Sequence, residues 1–416
     1  MTTPTLRGTA GNVPAIQANH RPILRRILVA VIAISFCLEF IFWAGFLLSP
    51  LRYRTDFRQL YVAGYMARTG HLHQLYDLEL QHSLQNALVS PEQNVLPFNH
   101  PSFEALWFAP LSILPYKFAF FAWLAANLFL LGLSLRLIRR AVHELDHNKW
   151  LQAAIFLAFV PVQVALMQGQ DSLLMLAILS VTFLLLCRNR ESAAGAVLAV
   201  GLFKFQIVVP IAFLFLLKRR WKFVGAFAAA GASLAAISTS LVGLSQTGMY
   251  LHTLTAASTG TPSPSRNYGI QWVKMATLRG LAVGLGSSHF SSGTVQLTAL
   301  FLSLLLILAV AILVPKGARS AGLLPVFIVA SALAGYYVFT HDLSVLLIPI
   351  FLALAYSSCA ASSPWLGYSA AATFSAPLLL FVAPNHFYLV SFFVIEFLVV
   401  TLWSARAGAS LVTGLQ

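Results

Sequence analysis

Between residues 27 and 405 the sequence returns repeatedly to apolar runs of bilayer length. The first, Ile27 to Ser49, has 23 residues, against roughly 20 needed to cross the hydrocarbon core as a helix. Others follow at about 118–138, 150–167, 172–187, 192–217, 223–243, 293–315, 321–340, 343–357, 366–382 and 387–405. Only 9% of the 416 residues are charged, where a soluble domain carries roughly 25%. So few charges do not cover a soluble surface, and the soluble-globular and disordered classes are excluded. The expected fold is all-α: a polytopic integral membrane bundle of about 12 membrane segments. The segment Pro101 to Tyr116 is too short to span and is expected to lie in the interface or to re-enter the bilayer.

A net charge of +14 would suggest nucleic acid in a soluble chain, but its placement points to topology instead. The leader (Arg7, Arg21, Arg25, Arg26) and five clusters hold 17 of the 26 basic residues. The clusters are Arg136/Arg139/Arg140/Lys149, Arg188/Arg190, Lys218/Arg219/Arg220/Lys222, Lys316/Arg319 and Arg406. By the positive-inside rule these connections, and the N-terminus, are expected to be cytoplasmic. The first run is too long for the h-region of a secretory signal and is read as a retained span. Residues 1–20 are expected to be a disordered leader before a single membrane domain over 21–408. Cys37, Cys187 and Cys359 lie in or beside apolar runs, and no disulfide framework is expected.

The run 192–217 tests this scheme, because both of its flanks are basic. Its 26 residues cannot cross twice at roughly 20 residues per span. Lys204 and Pro210 interrupt it, so two short helices meeting at Lys204 are expected, with the lysine near the outer face or in a cavity.

Two outer loops are then long, 50–116 and 244–292. The first carries Asp56, Asp77, Glu79, Glu92 and Glu104; the second runs Ser258-Thr259-Gly260-Thr261-Pro262-Ser263-Pro264-Ser265 before Arg266, Tyr268, Trp272 and Lys274. The second is expected to be a substrate-covering loop. Gln168-Gly169-Gln170-Asp171, Asn99-His100 and His341-Asp342 fall on the same side by the same parity. Ionisable groups converging at one membrane boundary mark a functional-site candidate.

Each candidate has a plainer reading. Asp56, among Arg52, Arg54 and Arg58, is either an interfacial ion-pair partner or a general base. Lys204 in an apolar run needs a counter-charge: a substrate phosphate, or a carboxylate such as Glu39 or Glu396. His341 and Asp342 either hold a leaving phosphate or cap a helix, and Gln170 and Asp171 either cap a helix or line the site. Glu39, Glu104 and Glu396 are expected to neutralise basic groups in the bundle. His71, His73 and His82 lack metal-ligand spacing and are read as solvated loop residues. No Walker loop, dinucleotide-binding glycine pattern, His-Glu-x-x-His or Gly-x-Ser-x-Gly is present, so cytosolic nucleotide chemistry has no support.

The motif Asp56-Phe57-Arg58-x-x-Tyr61-x-Ala63, then Gly70, then Leu75-Tyr76-Asp77, resembles the first loop of the family-87 glycosyltransferases. These are polyprenol-phosphate-mannose-dependent α-mannosyltransferases of the GT-C membrane fold. Phe98-Asn99-His100-Pro101-x-Phe103 followed by Ala109-Pro110-Leu111 is similar to that family's Tyr-Pro-Pro element and short helix, although His100-Pro101-Ser102 departs from the usual triplet. Gln168-Gly169-Gln170-x-x-x-Leu174, Gly195 to Lys204, Lys218-Arg219-Arg220-Trp221 and His341-Asp342 match in order and spacing. The resemblance covers roughly residues 25–400.

It implies that Asp56 is the catalytic base of an inverting transfer from a polyprenyl-phosphate-linked sugar, with mannose the expected sugar. Lys204, His341 and Arg266 would meet the leaving phosphate, and Asp342, Gln170, Asp171, Arg58, His100 and Asn99 would complete the substrate site. The implied partners are the lipid-linked donor, a glycolipid or polysaccharide acceptor and membrane lipids, without nucleic acid, metal or other cofactor. The implied location is a bacterial inner membrane, with the site on the extracytoplasmic face. The competing reading is a transporter or flippase of a lipid-linked or polar solute, since transporters also use broken helices. It would want internal repeats and a midplane site open to both faces, and the sequence offers neither.

Overall fold

A computed structural model describes residues 20–49, 55–91, 95–142, 148–259, 272–357 and 363–406. The expected leader, Glu92, Arg266, Tyr268 and Cys359 lie outside the described residues. Among the described residues the fold is all-helical, with no strand. In chain order the helices are α1 (His20–Leu48), α2 (Phe57–Arg68), α3 (Leu78–Leu88), α4 (Ser102–Phe108), α5 (Tyr116–Ala141), α6 (Lys149–Leu157) and α7 (Val160–Gln168). Then come α8 (Ser172–Cys187), α9 (Glu191–Val200), α10 (Phe205–Leu217), α11 (Trp221–Thr259), α12 (Leu278–Gly286) and α13 (Ser292–Leu313). The last are α14 (Ser320–Ala334), α15 (Leu347–Ser357), α16 (Pro364–Ser375), α17 (Leu379–Val382) and α18 (Val390–Arg406).

Among the described residues, eight helical stretches, 191–217 included, are long and apolar enough by length and composition to cross a membrane, or nine if the α6–α7 pair, bent by 58°, counts as one span. The twelve expected segments are not all of that kind. Helices α8 and α14, of 16 and 15 residues, fall short of bilayer length and are instead almost wholly enclosed by protein. Their two neighbours α13 and α5 face outward: Leu297, Leu300, Phe301, Leu304, Leu308 and Ile312 of α13 form an exposed apolar stripe. Such a stripe is stable against acyl chains and not against water.

Helices α9 and α10 form a re-entrant hairpin. The Cα hydrogen side of Gly195 meets the Phe223 carbonyl, where an added Cβ would sit 2.1 Å from the oxygen. Arg220 reaches Glu191 at 3.8 Å, and the Phe215 and Phe223 rings stack at 4.1 Å. The start of α9 and the end of α10 therefore lie together, and the chain reverses at the 3-10 turn Gly201–Lys204. The 27 apolar residues 191–217 thus go in and come back, as their basic flanks require.

This gathers the clusters around Arg188/Arg190, Lys218/Arg219/Arg220/Lys222 and Lys316/Arg319 at one end of the bundle. Lys218 Nζ donates to Val314 O, Arg220 to Ala318 O, and Ser320 to Glu191. Lys204 lies at the other end, about 23 Å away by helical rise over α9 and the 3-10 turn. Helix α8, about 24 Å long by the same rise, spans the identical interval from Asp171 to Arg188.

Residues 55–116 build a helical layer over that second end. Its core is aromatic: Phe57 packs on Tyr61, Phe108, Tyr116 and Phe120 with centroids 5.7–6.3 Å apart. Two buried glutamines of α3 hold the extended segment before α4. Gln85 pairs both ways with the backbone of Leu96, and Gln81 accepts from Phe98 N while donating to Leu75 O. Within the segment 101–116, α4 buries Phe103, Glu104, Ala105 and Phe108.

In the region expected as the second outer loop, the chain kinks at Gly243 (φ 84, ψ 166) and continues as helix to Thr259. Residues 272–274 form a 3-10 turn and α12 follows, capped by Thr277. Only 260–271 of the expected loop fall outside the described residues.

Candidate active site

The turn between α7 and α8 supplies the site's first residues. Gly169 closes α7 in the left-handed region (φ 62), with its N–H and that of Gln170 bonded back to α7 carbonyls. A side chain at this position would be strained and would also meet Phe57 at 2.7 Å. Trp123 Nε1 donates to Gly169 O and Asn127 Nδ2 to Gln170 O, so α5 fixes the turn. Gln170 and Asp171 then project together into the site end.

Gln170 Nε2 donates to Asp56 Oδ2 at 2.7 Å. Asp56 opens α2 but makes no capping bond. The fully buried Phe57 ring and the 2.9 Å contact between Thr55 Oγ1 and the Tyr116 hydroxyl anchor the residues either side of it. The carboxylate therefore lines the cavity with the Gln170 amide against it.

Asp171 also departs from the capping reading, since its side chain makes no cap bond. It lies instead 2.7 Å from Lys204 Nζ, and Lys204 lies equally close to Asp342 Oδ1. Asp342 in addition accepts from Ser172 Oγ at 3.0 Å and from Phe339 N at 3.1 Å, so it both caps its turn and pairs with the lysine. All three members of this triad are at most 4% exposed. The counter-charges of Lys204 are thus neither Glu39 nor Glu396. Buried ions persist only when matched in this way, and the ammonium keeps one of its three N–H groups for other uses.

His100 joins the triad from the layer above. Its Nδ1 is 2.7 Å from Glu104 Oε2 and 3.4 Å from Asp171 Oδ2. Its ring stacks on Phe98, and its carbonyl accepts from the Tyr76 hydroxyl. Burial pushes the Glu104 carboxyl up to about 8, with His100 opposing the rise and Asp171 adding to it. Burial draws His100 down, but Glu104 and then Asp171 outweigh this and leave it above the ordinary imidazole value. Both shifts favour a proton held between His100 and Glu104 at neutral pH.

The side chains of His100, Glu104 and Asp171 offer three ligand atoms within 4.8 Å of one another, a donor set of the type that holds divalent metals. Two features fit a shared proton better. Two ligands of one zinc ion stand roughly 3.3 Å apart by tetrahedral geometry, wider than the 2.7 Å between His100 and Glu104. The neighbouring ammonium of Lys204 already takes an Asp171 oxygen and would repel a cation.

These groups surround one cavity of about 260 Å³. Asp56, Asn99, His100, Gln170, Lys204, His341 and Asp342 all line it, so the structure brings together seven of the ten expected site residues. Asp171 stands directly behind Lys204. Arg58 is not part of the cavity lining, and Arg266 lies outside the described residues. Sequence reasoning missed Gln59, Gln206 and Tyr337 in the lining, and treated Glu104 as a bundle counter-ion. The i,i+4 spacing of His100 and Glu104 was the available signal. It also missed Arg279, whose guanidinium lies 3.5 Å from the Trp272 ring and 3.7 Å from the Tyr336 ring, bracing the Tyr337 wall.

A buried acid–lysine–acid triad, a histidine-lined cavity and one amide-held carboxylate at a membrane boundary suit transfer chemistry on a substrate presented by the bilayer. The sequence profile of glycosyltransferase family 87 matches residues 98–340. The chain belongs to this family. It is therefore a membrane glycosyltransferase, which also removes the support for a transporter. The matched family-87 region begins at Phe98 and ends at Thr340, so it takes in His100, Glu104, Asp171 and Lys204 but not Asp56 or Asp342. Neither a curated protein nor a solved structure matches the chain.

Proposed function

We propose that this family-87 enzyme transfers a sugar, mannose in the first instance, from a polyprenyl-phosphate donor to a hydroxyl of a glycolipid or polysaccharide acceptor. The reaction takes place on the extracytoplasmic face of a bacterial inner membrane with the N-terminus in the cytoplasm, an orientation supported by the gathering of basic clusters at the opposite end. The observation that carries the reading is Asp56. Asp56 lines the cavity and accepts from the Gln170 amide, whereas Asp171 and Asp342 hold Lys204 and Glu104 holds His100.

Asp56 takes the proton of the acceptor hydroxyl, the oxygen attacks the sugar C1 from the face opposite the phosphate, and the C1–phosphate oxygen bond breaks with inversion. The leaving polyprenyl phosphate carries its charge toward His341 and the remaining N–H of Lys204, whose position is fixed in advance by two carboxylates. Gln170 orients the base. The donor is already activated, so the step consumes no nucleotide.

The test uses purified protein in nanodiscs with polyprenyl-phosphate-[14C]mannose and a panel of membrane glycolipid extracts. Label should move to an acceptor with the wild type, and Asp56→Asn should slow this by about 10²–10⁴-fold, the usual contribution of a general base, with donor binding retained. Unimpaired transfer by Asp56→Asn would remove the base assignment. Donor binding without transfer to any acceptor, in both proteins, would remove the proposed reaction.

A further inference from the structure

The end of the bundle opposite the active site carries a second built feature. Two adjoining recesses of about 450 and 480 Å³ lie where α5 and α8 end. Arg136, Arg139 and Arg140 of α5 and Arg188 after α8 line them, together with Gly132, Leu135, Ala141, Leu184 and Cys187. Among the described residues, no carboxylate lines either recess. Glu191, the acidic residue nearest in sequence to Arg188, is engaged by Arg220 and Ser320. Four guanidiniums gathered without an acidic partner among the described residues repel one another, and an anion relieves that repulsion.

The position identifies the anion. Tyr116, at the active-site end of α5, precedes Arg139 by 23 residues, about 35 Å of helix. That distance is bilayer thickness, so the recesses sit at the level of the other leaflet's headgroups. Toward the bilayer interior the arginines give way to Gly132 and Leu135, and one turn earlier to the exposed Leu128 and Phe129. Gly132 faces open space: a Cβ there would meet nothing within 4 Å. The wall is thus cationic at headgroup depth and apolar, with a notch, at acyl depth. A soluble anion would use only the upper part.

We propose that this groove binds an anionic glycerophospholipid, with its phosphate among Arg136, Arg139, Arg140 and Arg188 and an acyl chain along the Gly132 notch. Each arginine near an anionic headgroup strengthens binding about fivefold, so removing two is expected to weaken it by more than tenfold. The assignment is independent of the sugar chemistry at the other end.

The experiment is native mass spectrometry of the full-length protein released from nanodiscs containing equal phosphatidylglycerol and phosphatidylcholine of matched chains. Wild type should retain phosphatidylglycerol selectively. Arg139→Gln/Arg140→Gln should lose that retention by more than tenfold, and so should Gly132→Trp, which keeps every charge but fills the notch. Arg190→Gln/Lys222→Gln removes the same charge elsewhere on this face and should retain the lipid. All four proteins should give the same elution volume and thermal midpoint in detergent. Equal loss in the control pair would reduce the effect to the general charge of the face and overturn the site. Displacement by millimolar inorganic phosphate, with Gly132→Trp unaffected, would make it a phosphate site and overturn the lipid assignment, as would equal retention of both lipids.

Discussion

The two ends of this bundle handle charge in opposite ways. At the active-site end the ionised groups are buried and matched: Asp171 and Asp342 on Lys204, Glu104 on His100. At the other end they are basic and mostly exposed, from Arg136 to Lys222, with Arg220 paired to Glu191. Burial explains the difference. A charge withdrawn from water needs a partner at atomic contact, whereas an exposed one needs only solvent and counter-ions. Removing a charge should therefore be costly at one end and nearly silent at the other.

The largest effect is expected from Lys204→Met, which leaves two carboxylates buried without their cation. Breaking a buried pair in this way costs about 3–5 kcal/mol, so the variant should show a sharply lowered thermal midpoint by scanning fluorimetry. The conservative Lys204→Arg should recover part of it. A midpoint equal to wild type would mean that the triad is hydrated in the membrane, and the contrast between the ends would fail.

Next comes Gln170→Ala, which leaves Asp56 facing the cavity but unheld. A hydrogen bond to a charged group contributes about 1.5–3 kcal/mol, so transfer should fall by about tenfold or somewhat more, with the thermal midpoint unchanged. A loss as deep as that of Asp56→Asn would make Gln170 a direct participant rather than a positioning residue.

A subtler effect concerns Glu104. Its folded-state pKa of about 8 lies above the ordinary carboxyl value of 4.5, so the folded state holds the proton that the unfolded chain has released. The stabilisation is complete below 4.5, declines as pH rises, and is gone above about 8. His100, also raised, acts in the same direction. Thermal midpoints measured between pH 5 and 9 should fall in wild type and show a shallower slope in Glu104→Gln. Identical slopes would exclude a shared proton at this pair. The smallest effect belongs to the opposite end, where Arg190→Gln should alter stability by less than about 0.5 kcal/mol.

The contrast also explains what the sequence disclosed. Apolar runs and basic flanks report on the exposed end and on the lipid, and they located most of the spans and the reversal at Lys204. The convergence of Asp56, Asn99, His100, Gln170, Lys204 and His341-Asp342 followed from parity alone. The partners of Lys204 did not. Asp171 read either as a helix cap, as Asp before an apolar helix usually is, or as site lining, and only tertiary packing turns its side chain to Lys204. Helices α8 and α14 are too short for a lipid-facing span, a distinction that hydropathy cannot draw because a protein-enclosed helix is equally apolar. The helix beyond Gly243 was not legible, because the apolar run ends at 243 and polar residues follow it.

The re-entrant hairpin also constrains the order in which the molecule can be made. Lys204 emerges from the ribosome after Asp171 and well before Asp342, so the nascent chain carries its lysine with half of its counter-charge. Neither arm of the hairpin is long enough to cross the bilayer alone. The tip can settle only when α14 and the turn at Thr340–Leu346 arrive to enclose it. The centre of the site is thus completed by one of the later segments synthesised, and a chain truncated before residue 342 should fail to retain the hairpin at depth.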